Sequence, residues 1–231
     1  MYKKDKSCII PVIVGIGYLL WFYFRSLVFY SNNMLVKVND VTWDNILIKL
    51  ADDYIVMLLL PTIIMILNIK NLKAFKLNYC SGTVIKVLLI ILIIFFFLHN
   101  DYSISGVYKF FFYLIFVSFG EEFIFRGYIY NSLKGKSKVK AVLISGILWG
   151  AAHGILPTVL NNSSIIKNMI NEIGGGITTG LFFIYLQEKS GTLWVPVLIH
   201  ALLDYSYLFF GQLIAIVILI YYIMTSKYVK K

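Results

Sequence analysis

The chain has 231 residues, 60% of them hydrophobic and 14% charged, with a net charge of +10 and a mean hydropathy of +0.82. Soluble domains are nearer about 45–50% apolar, so the composition excludes a soluble enzyme and points to an all-α, polytopic integral membrane protein. The positive charge is no sign of nucleic acid, because the lysines sit in short loops between apolar runs, where orientation signals lie in membrane proteins.

In chain order, Lys3, Lys4 and Lys6 precede a first span over about 9–30. Residues 31–53 are mixed and polar, with Asp40, Trp43, Asp44, Asp52 and Asp53, and read as a surface helix before a second span over 54–69. A loop with Lys70, Lys73, Lys76 and Lys86 leads to a third span over 84–98, an unbroken Ile/Leu/Phe run expected to face lipid. The fourth span, 107–131, is followed by Lys134, Lys136, Lys138 and Lys140. A fifth covers 141–157, a sixth 173–187 and a seventh 193–210, and Gly211 is expected to separate the seventh from a last span ending near Met224.

At about 20 residues per span this gives about eight transmembrane helices in one membrane domain, 1–231. Most lysines then share one side with both termini, which the positive-inside rule makes cytoplasmic. Cys8 and Cys80 make no disulfide framework and read as free thiols.

The fourth span carries F-G-E-E-F-I-F-R-G-Y, with Glu121, Glu122 and Arg126 inside an apolar run. A charge at membrane depth costs about 2.5–3.5 kcal/mol, and such residues pair or mark function. His153, His200 and Asp204 are the other ionisable groups well inside predicted spans. At 1.5 Å per residue, Glu121, His153 and His200 lie roughly 15, 18 and 10 Å from the inner ends of their spans, overlapping depths that allow one shared site. Glu122 and Arg126 are four apart with the acid first, the better order for an ion pair. Glu121 is rotated about 100° from Glu122 and is left for chemistry. His200 and Asp204 are also four apart, so the carboxylate is placed to set the imidazole tautomer. Gly146, Gly150 and Gly154, echoed by Gly176 and Gly180, read as surfaces for close helix packing. A buried glutamate beside a histidine can activate water, and donors on a third helix can hold an oxyanion, which together describe amide hydrolysis. A metal held by Glu and His is the alternative activator.

E-E-F-I-F-R resembles the E-E-x-x-x-R motif of the CPBP family of intramembrane proteases, which includes the type II CAAX prenyl endopeptidases and the bacterial bacteriocin-processing or Abi-type proteins. W-G-A-A-H is similar to the family's F-x-x-x-H, with Trp149 in place of the Phe. H-A-L-L-D is similar to H-x-x-x-N or H-x-x-x-D. The resemblance covers about 118–205 within a protease-motif core of about 107–210. It implies an endopeptidase with Glu121 as general base and His153 positioning or polarising the water. Glu122 and Arg126 would support it, Trp149 would preserve packing, and His200 and Asp204 would stabilise the oxyanion. The family is described both as metalloproteases, implying a divalent metal such as Zn on Glu121, His153 and His200, and as metal-free glutamate proteases. The expected partners are the bilayer and a membrane-associated, leader or signal peptide, in a bacterial plasma membrane. A non-catalytic bacteriocin-immunity or membrane interaction protein that keeps the fold is the alternative. A secondary transporter is disfavoured, since no inverted repeat is visible.

Overall fold

The computed structural model describes residues 9–78 and 82–228. Cys8, Cys80, Lys3, Lys4, Lys6, Lys230 and Lys231 lie outside the described residues. Among the described residues, the regular structure is helical throughout. The longer helical runs are α1 (Ile9–Ser31), α2 (Ile46–Leu67), α3 (Thr83–His99), α4 (104–133), α5 (Lys138–Asn161), α6 (Ile165–Ser190), α7 (Trp194–Tyr205) and α8 (Leu208–Tyr228). By length and composition α1, α2, α5 and α6 are able to cross a membrane; α3 and α7 are shorter apolar helices.

The second helix begins at Ile46, eight residues earlier than the expected span. There is no separate surface helix, because Ile46–Asp53 runs directly into a π-helical stretch, Tyr54–Leu58. Its first turns are inside out. Leu47 and Leu50 face outward, while Lys49, Asp52 and Asp53 are buried. The charges are buried because partners meet them: Arg25 of α1 pairs with Asp52, Lys49 lies 2.7 Å from Asp53, and Tyr108 of α4 donates to Asp53 at 2.7 Å. The third helix also departs from expectation. Leu88, Leu92 and Phe95 form one buried stripe, so only the rest of its surface faces outward.

Helices α5 and α6 form the closest pair. A Cβ on Gly146 would sit 2.7 Å from Ile177 Cα, one on Gly150 2.6 Å from the Glu172 carbonyl oxygen, and one on Gly154 2.6 Å from Met169 N. The glycine ladder therefore sets backbone-to-backbone contact, as small residues do between membrane helices. Helix α6 is longer than expected. Ser164 caps its start by accepting from Lys167 N, and Gly191 ends it at φ +75°, a left-handed conformation that costs glycine no Cβ clash.

Gly211 does not separate the last two helices. The break falls at Ser206, in extended conformation. Gly211 lies inside α8, where a Cβ would meet Ser206 Oγ at 2.5 Å and the Leu202 carbonyl at 2.6 Å.

Candidate active site

Helix α4 is not a uniform α-helix. Phe112–Phe119 and Phe123–Tyr130 are π-helical and flank the α-helical turn Gly120–Glu122. π-Turns inside α-helices concentrate at functional sites, since the extra residue re-aims the side chains around it. Gly120 packs on α2, where a Cβ would come within 2.8 Å of the Met57 carbonyl oxygen. This close approach sets Glu121 and Glu122 deep in the bundle.

Glu122 and Arg126 are fully buried. Glu122 Oε1 is 3.2 Å from Arg126 Nη1, so the spacing of four does give the ion pair. The same oxygen lies 3.0 Å from His200 Nδ1. The other ring nitrogen of His200, Nε2, is 3.4 Å from Asp204 Oδ2. A chain of charge thus runs Arg126–Glu122–His200–Asp204. The expected His200–Asp204 pair is present, but Glu122 is the nearer carboxylate. Sequence reasoning missed that contact because it joins two helices 78 positions apart.

Glu121 points elsewhere, as its rotation on the helix requires. Its Oε2 accepts from the Trp149 indole N–H at 2.5 Å and stands 4.0 Å from His153 Nε2. His153 is anchored through Nδ1, 2.9 Å from the Trp149 carbonyl oxygen, so that nitrogen is the donor and Nε2 is free to accept. Trp149 does more than preserve packing, because its N–H makes a bond that Phe cannot.

Phe183 of α6 is the site residue that sequence reasoning missed. Its ring stacks on His200 at 5.1 Å and lies 5.2 Å from the Arg126 guanidinium, which also sits 4.3 Å from the Trp149 ring. Two aromatic faces therefore flank a buried cation that makes no hydrogen bond of its own. Nothing in the polarity of the sixth span marks Phe183.

The cluster is sealed on one side and open on the other. Glu122 and Arg126 side chains are 0% exposed, whereas those of His153 and Asp204 are 41% and 32% exposed. Beside it, Phe119 and Trp194 stack at 5.7 Å on the wall of an apolar cleft of about 500 Å³ between α3, α4 and α7, with Leu89, Leu114 and Leu198.

The expected metal set does not converge. His200 gives Nδ1 to Glu122, and Nε2, the nitrogen left for other chemistry, faces Asp204 at 3.4 Å. Among the described residues, no three His, Cys, Asp or Glu side chains are grouped to hold a metal.

Just ahead of α4, outside the membrane-spanning segments, Asp101 accepts from Ser103 N and Oγ at 3.1 and 2.6 Å. These bonds favour the ionised form and hold its carboxyl below the usual range.

Fold and site together define a multi-pass helical membrane protein in which carboxylates and imidazoles from three helices meet, with Glu121, Glu122 and His200 buried and His153 and Asp204 exposed. Residues 103–206 match the family model described as type II CAAX prenyl endopeptidase Rce1-like, and that segment is similar to this family. The match opens at Ser103, the N-cap of α4, and closes at Ser206, just past α7, so it holds every residue of the cluster. No curated protein and no solved structure matches the chain.

Proposed function

We propose that this chain is an endopeptidase that hydrolyses a peptide bond of a membrane-associated, leader or signal peptide, using water activated by Glu121. One observation carries the reading. Glu121 and His153 face each other across 4.0 Å at the open edge of a cluster whose other half is sealed. A water can bond both Glu121 and His153 Nε2 across such a gap.

In this mechanism Glu121 takes a proton from that water as its oxygen attacks the scissile carbonyl. The C–N bond then breaks, and Glu121 returns the proton to the departing amine. His200 is held by Glu122 through Nδ1, which aims Nε2–H toward Asp204 and the open side. There it can turn to the oxyanion of the tetrahedral intermediate. Asp204 positions that ring. Arg126 neutralises Glu122. No step passes through a metal. The apolar cleft beside Phe119 suits the apolar part of a membrane-borne peptide, and no prenyl group is required by the polar cluster. The protein is read as bacterial and plasma-membrane bound, with both termini cytoplasmic.

The test pairs wild type with Glu121→Ala in detergent. Each is incubated with a peptide library, prenylated and unprenylated, with and without chelator, and read by mass spectrometry. Cleavage by wild type, unaffected by chelator and absent from the variant, is expected. Equal cleavage by Glu121→Ala rules out Glu121 as the base. Loss of wild-type cleavage on chelation rules out the metal-free route.

A further inference from the structure

We propose that Trp149 is the positioning residue of the base: its indole N–H ties down Glu121 Oε2 and so holds the carboxylate at the gap that the water shares with His153. This rests on the reading of Glu121 as the base. The bond is short, 2.5 Å, and made to a carboxylate, the charge-assisted kind that is roughly twice as strong as a neutral one. It falls on Oε2, the oxygen that also faces His153. Among the described residues, Oε1 takes no side-chain hydrogen bond.

The donor is itself immobile. Trp149 is 7% exposed. Its ring carries Arg126 at 4.3 Å, meets Phe183 edge to face at 6.2 Å and touches His153 at 4.5 Å. One side chain therefore locks the carboxylate rotamer, borders the histidine across the water gap and covers the buried cation. Without the N–H, Glu121 keeps its place on α4 but gains freedom at its outer torsions. A small misplacement of a catalytic group can cost about 100-fold in rate.

Three proteins decide it: wild type, Trp149→Phe, and wild type with benzothienylalanine at position 149. The last keeps a bicyclic ring over Arg126 and replaces only the N–H by sulfur. Cleavage of a peptide selected by wild type from the library is followed by kcat and KM. The expected result is a kcat lower by about 10- to 100-fold in both variants, with KM unchanged. Wild-type kcat in the benzothienylalanine protein overturns the proposal, because the ring and not the donor is then what matters.

A second measurement reads the bond without substrate. In wild type with isotope-labelled tryptophan, the indole resonance missing from Trp149→Phe spectra is that of Trp149. Its proton is expected far downfield and should move upfield in Glu121→Ala, while the Trp21 indole, bonded to the Ile55 carbonyl at 3.1 Å, stays put. A Trp149 resonance indifferent to Glu121→Ala overturns the proposal. If Glu121→Ala moves the resonance yet cuts like wild type, the bond stands but the base reading fails, and the positioning role with it.

Discussion

Arg126 is a buried cation with little hydrogen bonding and much aromatic surface. Its guanidinium lies between the Trp149 and Phe183 rings, and Glu122 is its counter-charge. A lysine there would keep the charge but lose the planar stacking. Removing the charge leaves Glu122 uncompensated in the core, and breaking a buried pair costs about 3–5 kcal/mol. Arg126→Met should therefore lose that much stability in reversible unfolding from detergent, with Arg126→Lys between it and wild type. An unchanged midpoint in Arg126→Met would mean that His200 alone balances Glu122. The Glu122–Arg126 pair was legible in the sequence because both partners sit on one helix and spacing decides the contact. The His200–Glu122 and Trp149–Glu121 contacts were not, since they depend on how three helices are rotated against one another.

At the scale of single elements, glycine and caps decide the geometry. Adding bulk at Gly150 or Gly176 must push α5 and α6 apart, because the neighbours are backbone atoms: Glu172 O at 2.6 Å from one, Gly146 O at 2.5 Å from the other. Overpacking of this kind costs about 1–3 kcal/mol. Gly150→Leu should lower the thermal midpoint and loosen the site, because His153 is carried on the same helix. Gly146→Ala, meeting Ile177 Cα at 2.7 Å, should do so less. At the start of α4, Asp101 supports the Ser103 cap, which accepts from Gly106 N at 3.1 Å. Its depressed pKa means that the stabilisation is complete above the ordinary carboxylate value of about 3.9 and is lost as pH falls through the folded-state value. The thermal midpoints of wild type and Asp101→Asn should differ at neutral pH and converge in acid. The glycine ladder was legible because its period matches the helix. The true end of α7 was not. Gly211 looked like a break, and the chain instead turns at Ser206, where the signal is one extended residue in an apolar run.

Across the whole molecule, a second polar cluster joins α1, α2 and α4 as the Glu121–His200 cluster joins α4, α5 and α7. Arg25–Asp52 and Lys49–Asp53–Tyr108 hold the inside-out start of α2 against the bundle. Losing one member should be far worse than losing both: Asp53→Leu strands Lys49, whereas Lys49→Met with Asp53→Leu replaces the pair by apolar packing, often neutral or stabilising. Unfolding midpoints of the singles and the double check this, and additive losses would show the pair to be uncoupled. Composition made the membrane class legible. The inward turn of Lys49, Asp52 and Asp53 was hidden, because a run of charges beside a span reads as surface until its partners on two other helices are placed.

Helix α7 is short, twelve residues, and is clamped at both ends by segments far from it in sequence. Leu193 N, just before its start, donates to the Lys76 carbonyl at 2.9 Å. At its end, the His99 ring lies between Tyr205 and Tyr207 at 4.5 and 4.8 Å. A slip of one residue would carry His200 about 1.5 Å along the axis and about 100° around it, away from Glu122. The placement of His200 is thus set by two fasteners that lie outside the polar cluster. On the proposed function, loosening either the loop around Lys76 or the ring stack at His99 should be felt as lost turnover in a site whose own residues are all intact.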